Sequence, residues 1–232
     1  MVIDVTFDVR SDARGKDPDS HSATLREFHR QLWSRPLPDG SDVRLAIGGP
    51  GTYLRLSSPR GDWSVGSDSI IHTYGGWRRL AGLLAQIPLE EAFRAAASTV
   101  GGYIVFPVAF NLKPTINQAR GTRAAISDRF DVTLECIRRH YAGLDSPLAD
   151  VLGAYGGFFD LYGSFEGYVD YFLLGDLIDS STGRLLTFLP FDTFGERPVP
   201  TSVDEYRRYR DATVAFVEAR NARIAALSTQ SR

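Results

Sequence analysis

The chain has 232 residues, of which 43% are hydrophobic, 12% aromatic and 23% charged; that balance supports a real core and excludes wholesale disorder. A formal charge of −2 excludes a domain-wide basic footprint, so broad nucleic-acid binding is not expected and any phosphate must be met by a local patch. Cys136 is the only cysteine, which excludes an internal disulfide and a cysteine-based zinc site.

Residues 2–9, VIDVTFDV, alternate apolar and polar and predict a half-buried strand. After a polar loop, Ser20 or Ser22 is placed to cap a helix over 22–34, with Leu25, Phe28, Leu32 and Trp33 on one face. From Arg35 to Gly76, Pro, Gly, Ser and Asp punctuate short β-like runs at 43–47, 52–57 and 69–71, the pattern of a meander. Residues 77–86 and 89–99 read as helices. The run 102–110, GYIVFPVAF, reads as a buried strand whose Pro107 favours a sheet edge or a bulge. Three helices follow over 127–142, 146–161 and 164–178, then a strand over 184–191. A final helix over 202–227 has Ser202 and Glu205 in a capping-box pattern. The expected fold is a single α+β domain over residues 1–232, with a mainly antiparallel sheet early and helices late. No run approaches the ~18 uninterrupted apolar residues of a membrane helix. Met1-Val2-Ile3-Asp4 carries an early acid and no apolar run, so no signal peptide and a cytoplasmic protein without membrane contact are expected.

The segments TINQARG (115–121), ISDRFDVTLECIRRHY (126–141), FEGYVDYFLLGDLID (165–179) and FLPFD (188–192) are long and idiosyncratic. Together with FDVRSDARGKDPDSHS (7–22), they resemble the DUF6994 family of bacterial proteins of unknown function. The resemblance runs over roughly residues 100–225 and implies no activity, substrate or site residue.

The chemistry must therefore be argued from the residues. Only Lys16 and Lys113 are lysines among 26 basic residues. A GC-rich codon bias explains that bland fact, yet arginine's planar fork also suits bidentate pairing with carboxylate or phosphate. In the helix over 127–142, Phe130, Leu134, Ile137 and Tyr141 form one apolar face and Val132 and Cys136 a second, so the helix is expected to be buried on two sides. Glu135 lies between those strips, within helical reach of Arg138 and Arg139. Charges on a sandwiched helix must be paired or must face a cavity. Six basic residues over 113–139 precede a stretch from His140 to Arg184 that holds seven acids and no Lys or Arg between its ends.

Two readings follow. In one, Asn117, Gln118 and Arg120, in a loop between strand and helix, join Arg138 and Arg139 in a pocket for a small anionic, phosphorylated and nucleotide-like ligand. Asp128, Glu135, His140 and Asp170 are then candidate acid–base groups, and whether the protein acts on that ligand as an enzyme or only binds it stays open. In the other, the cluster is a structural ion-pair network in a non-catalytic interaction module with a protein partner. Further motifs add little. IGGPGTY (47–53) lacks the P-loop ending and reads as a hairpin turn, and YGGW (74–77) reads as a plain loop, with amides presented to an anion as the alternative. His21, His29, His72 and His140 fit no metal motif, so a metal-independent protein is expected, and the sequence leaves the cofactor unknown.

Overall fold

In the computed structural model, which describes residues 3–49, 51–75, 77–87, 91–109, 111–112 and 114–230, the chain opens in turns and short helices. No strand forms within the described part of 2–9, because the acids of that run build turns instead. Asp4 Oδ1 accepts the Thr6 amide at 3.0 Å, and Asp8 caps helix α1 (Val9–Ala13) by accepting from the Arg10 amide. Such local bonds compete with a sheet ladder. Asp17 caps α2 (Pro18–His21), and Ser22 caps α3 (Ala23–Trp33), which buries Leu25, Phe28, Leu32 and Trp33 as its spacing predicts.

Four strands form one antiparallel sheet in sequence order: β1 (Arg44–Ala46), β2 (Leu54–Ser58), β3 (Gly61–Ser69) and β4 (Tyr103–Val108). The third strand ends where the sequence reading began it, at Ser69. Its run, GDWSVGSDS, is too rich in Gly, Ser and Asp for propensity to reveal. Its place between two partners makes it a strand, and Trp63, Ser64 and Val65 are buried there. Among the described residues β4 pairs on one side only, which is where Pro107 is tolerated, opposite Val65. Between β3 and β4 lie a 3-10 turn over Arg78–Leu80, α4 (Ala81–Leu84) and α5 (Glu91–Ala97). The expected helix start at 89 lies outside the described residues.

The second half is helical: α6 (Ile116–Thr122), α7 (Phe130–Tyr141), α8 (Ala149–Ala154), α9 (Gly156–Phe159), α10 (Phe165–Tyr171) and α11 (Val203–Gln230). The expected helix over 146–161 is interrupted at Tyr155, where ψ reaches 19°. Gly157 follows, and a Cβ there would stand 2.8 Å from the Arg60 carbonyl oxygen, so only glycine permits that approach. Residues 184–191 run past the core without forming a strand; a single bridge joins Ile178 and Leu185. Buried side chains take the place of a ladder. Asp131 accepts the Phe188 amide at 2.8 Å, and the Arg129 guanidinium donates to the Leu189 carbonyl at 2.9 Å while pairing with Asp131. At the start of α11, Glu205 N donates to Ser202 Oγ at 3.1 Å as the capping pattern predicts, but the Glu205 carboxylate turns back to Thr201.

α7 is buried from Phe130 to Ile137, consistent with its two apolar faces. The aromatic run of the second half, including Tyr155, Phe158, Tyr162, Tyr168 and Phe172, is core. Arg220 of α11 ties that core to the sheet through the carbonyls of Phe172, Gly101 and Tyr103, and burial pushes its guanidinium down to about 10. Among the described residues, no helix is long and apolar enough to cross a membrane.

Candidate functional site

The residues TINQARG form α6 rather than a loop. Thr115 caps it, accepting the Gln118 amide at 3.3 Å, while Gln118 Oε1 accepts the Thr115 amide at 3.0 Å. Gln118 is thereby spent on the helix end. Asn117 Oδ1 is buried without a partner. The capping box T-x-x-Q was present in the sequence and was the signal for this helix.

Arg120, at the end of α6, has no exposed side-chain surface. Its Nε donates to Thr133 Oγ1 of α7 at 3.0 Å, its Nη1 to Asp68 of β3 at 2.6 Å, and its Nη2 to the Asp128 carbonyl at 3.2 Å. The Asp128 carboxylate lies 3.6 Å from Nη2 and 2.9 Å from His72 Nδ1. A buried guanidinium thus joins two carboxylates that keep 31% and 23% of their side-chain surface exposed. Burial acts against charge on Asp68, Asp128 adds to that, and Arg120 does not offset the two, so this carboxyl is raised above its ordinary range. Burial also acts against charge on Asp128. There the His72 hydrogen bond and Arg120 prevail, and the carboxyl lies below its ordinary range. Neighbouring carboxyls pushed in opposite directions are a mark of acid–base sites.

The backbone at this point is strained. Ser127 and Asp128 both take left-handed conformations, with φ of 50° and 60°. Aspartate tolerates that region better than most residues, and serine has no such excuse. The Asp128 amide bonds to the Arg120 carbonyl at 3.1 Å, and Ser127 Oγ donates to the Ala124 carbonyl at 2.7 Å, so the turn is held from both ends.

Arg138 and Arg139 do not join this centre. Thr133 and Glu135 are two residues apart on α7, roughly 200° around the helix, so Arg120 and Glu135 meet opposite sides of it. Glu135 accepts two bonds from Arg138, at 2.7 and 2.8 Å, and one from Arg139, at 2.9 Å. Arg139 also bonds the Asp145 carbonyl and lies 5.1 Å over the Phe194 ring. Burial tends to raise Glu135, but the two arginines outweigh it and lower its carboxyl. His140 packs on Phe159 with ring centres 5.2 Å apart, and burial lowers its imidazole. Asp170 is exposed on α10. The single pocket expected around Arg120, Arg138 and Arg139 is therefore divided by α7.

An open cleft of about 230 Å³ lies instead along residues 121–124 at the end of α6, walled by Trp77, Arg78, Arg123, Ser127 and Arg197. Arg123 is held bidentately by Asp150, at 2.6 and 2.8 Å, and reaches the Pro147 carbonyl. Arg197 lies 5.7 Å over the Trp77 ring. Among the described residues, no carboxylate lies within ion-pair distance of Arg78 or Arg197. Trp77 also packs edge-on against His72, with centroids 5.5 Å apart, so the Asp68–Arg120–Asp128–His72 centre adjoins the cleft wall. A second cleft of about 570 Å³, bordered by Arg129 and the 189–199 segment, shares Arg197 with the first.

Sequence reasoning missed Asp68, His72, Trp77, Arg78 and Arg197 as site members. They come from β3, from the turns before α4 and from the segment before α11, and only the fold brings them together. Among the described residues, no group of His, Cys, Asp and Glu is placed to hold a metal ion. Burial pushes the Cys136 thiol up to about 12, so it is an inert core group.

No curated protein and no solved structure matches the chain. A family model described as a family of unknown function, DUF6994, matches residues 3–224 of the 232, and the chain belongs to that family.

Proposed function

We propose that this is a cytoplasmic protein whose Trp77 cleft binds a small phosphorylated, nucleotide-like ligand. The observation that carries the reading is that Arg78 and Arg197 border one open cleft without a described carboxylate partner. Arginine forks of this kind suit phosphate oxygens. Trp77 supplies an aromatic face, and stacking a base on such a face is worth about 1–3 kcal/mol. Arg123 belongs to the same wall, oriented by Asp150, which is 70% exposed and so leaves the pair at the surface.

Thermal melts with inorganic phosphate, nucleoside monophosphates and sugar phosphates test this. A ligand present at a hundred times its dissociation constant adds about 2.7 kcal/mol of stability. The shift should vanish in an Arg78→Gln, Arg197→Gln double variant whose unliganded melt is unchanged. Absence of a shift with every one of these compounds would remove the proposal. The rival reading, a structural ion-pair network in an interaction module, is favoured for Glu135, Arg138 and Arg139 alone, because Glu135 engages both arginines within one helix.

A further inference from the structure

We infer that the ligand is a nucleoside diphosphate sugar, with its base and diphosphate in the Trp77 cleft and its sugar in the adjoining cleft bordered by the 189–199 segment. The inference rests on the ligand reading above and names the ligand class.

Size gives the first argument. The Trp77 cleft holds about 230 Å³, less than the roughly 300–1,000 Å³ usual for a small-molecule site. The adjoining cleft holds about 570 Å³, and Arg197 borders both. A group attached to a phosphate on Arg197 is thus delivered to the second cleft.

The charge of the walls changes sign across Arg197. On the Trp77 side the charged side chains are Arg78, Arg123 and Arg197. The second cleft is bordered by Asp192, Glu196 and Glu205 beside Arg129 and Arg197. Arg129 is spent on Asp131 and the Leu189 carbonyl, and the Glu205 carboxylate accepts from Thr201. Among the described residues, the Asp192 and Glu196 carboxylates have no ion-pair or hydrogen-bond partner, and both residues are exposed. Free carboxylates repel a phosphate and accept from hydroxyls. Arg197 at the shared border acts against a cation. The group that enters this cleft is therefore uncharged and rich in O–H donors, which describes a sugar. Phe191, half-buried on the same wall, offers an apolar surface to the C–H face of such a ring.

The second cleft is also preformed. The buried Arg129 guanidinium donates to the Leu189 carbonyl at 2.9 Å and to the Pro198 carbonyl at 3.4 Å, so one side chain pins the 189–199 segment near both ends. Pro190 and Pro198 restrict the backbone of the same segment. A site held in place beforehand loses little freedom on binding.

Calorimetric titration of the whole chain tests this with UDP-glucose, ADP-glucose and GDP-mannose, each beside its own nucleoside diphosphate, together with inorganic phosphate and CDP-choline. Attaching the sugar removes negative charge from the terminal phosphate, so charge alone favours the bare diphosphate. At least one sugar nucleotide should nonetheless bind at least about tenfold tighter than its diphosphate. An Asp192→Asn, Glu196→Gln double variant should lose that advantage, whereas neutralising acids that act only through charge would strengthen every anion. If no sugar nucleotide binds tighter than its diphosphate, the inference is overturned and the ligand reading stands; absence of binding by every compound overturns both. An advantage that survives in the double variant also overturns the inference, because the two acids then do not hold the sugar. Tighter binding of CDP-choline than of all the sugar nucleotides overturns it in favour of a cationic group.

Discussion

On one side of α7, Arg120 is fully buried and bonds to Thr133, Asp68 and the Asp128 carbonyl; on the other, Arg138 and Arg139 keep 38% and 34% of their side-chain surface and share one carboxylate. The residue types and pairings are nearly the same. The difference is depth and connectivity. Arg120 links α6, α7 and β3, so its partners are far apart in sequence, whereas Glu135, Arg138 and Arg139 are neighbours on one helix. A buried cation with distant partners organises tertiary structure. A half-exposed triplet within a helix acts chiefly along that helix, and here only Arg139 reaches beyond it, to the Asp145 carbonyl and the Phe194 ring. The buried side is also the side that adjoins the Trp77 cleft, through the contact of His72 with the Trp77 ring.

The comparison breaks most visibly at its centre. Arg120→Met leaves Asp68 and Asp128 without their shared cation, and breaking a buried pair in this way costs about 3–5 kcal/mol. Urea unfolding of the variant should show a loss of that size; a loss below about 1 kcal/mol would place Arg120 with the weak surface pairs. Thr133→Val comes next. It removes the acceptor for Arg120 Nε and the donor to the Arg129 carbonyl, 2.8 Å away. A buried donor left unsatisfied costs about 1–3 kcal/mol, again read from urea melts.

Glu135→Gln should cost less, about 0–1 kcal/mol for each half-exposed pair, and should leave phosphate binding unchanged. Its pH dependence sharpens the point. The Glu135 carboxyl lies lower in the folded chain than unfolded, so its contribution is present above the ordinary carboxylate range and is lost as pH falls through its folded value. The stability gap between wild type and Glu135→Gln should therefore close on acidification; a gap that persists in acid would show that packing, not charge, sets it. The smallest expected effect is in the order of protonation at the buried centre. Asp68 is raised and Asp128 lowered, so carboxyl NMR should show Asp68 taking its proton first as pH falls. The reverse order would mean that the 2.6 Å bond from Arg120 outweighs the burial of Asp68.

The same contrast between local and distant partners explains how far the sequence could be read. α3 was legible from apolar spacing and its Ser22 cap, α7 from apolar spacing and α11 from its Ser202 cap, all signals that lie within one segment. Pro107 narrowed its strand to an edge or a bulge for the same local reason, and the sheet places it at the edge. The run over 2–9 misled because alternation alone does not reveal that Asp4 and Asp8 will bond to nearby amides. Residues 184–191 misled for the opposite reason. Their apolar content is real, but Arg129 and Asp131, more than fifty positions earlier, take up their backbone groups.

For the candidate site, sequence determined which residues were available: an arginine-rich chain, an acid-rich stretch between His140 and Arg184, and Asp128 and Arg120 within one short stretch. It also determined that Glu135 would meet Arg138 and Arg139, since a helix places those positions together. Tertiary structure alone decided that α7 would separate this triplet from Arg120 and that Asp68 and His72 would close around Asp128. It alone set Trp77, Arg78 and Arg197 on one cleft. The physical reason is that helical and capping interactions act over three or four residues and are written locally. The burial that raises Asp68, isolates His72 Nε2 and leaves two arginines open depends on which distant surfaces pack together, and no local pattern encodes that.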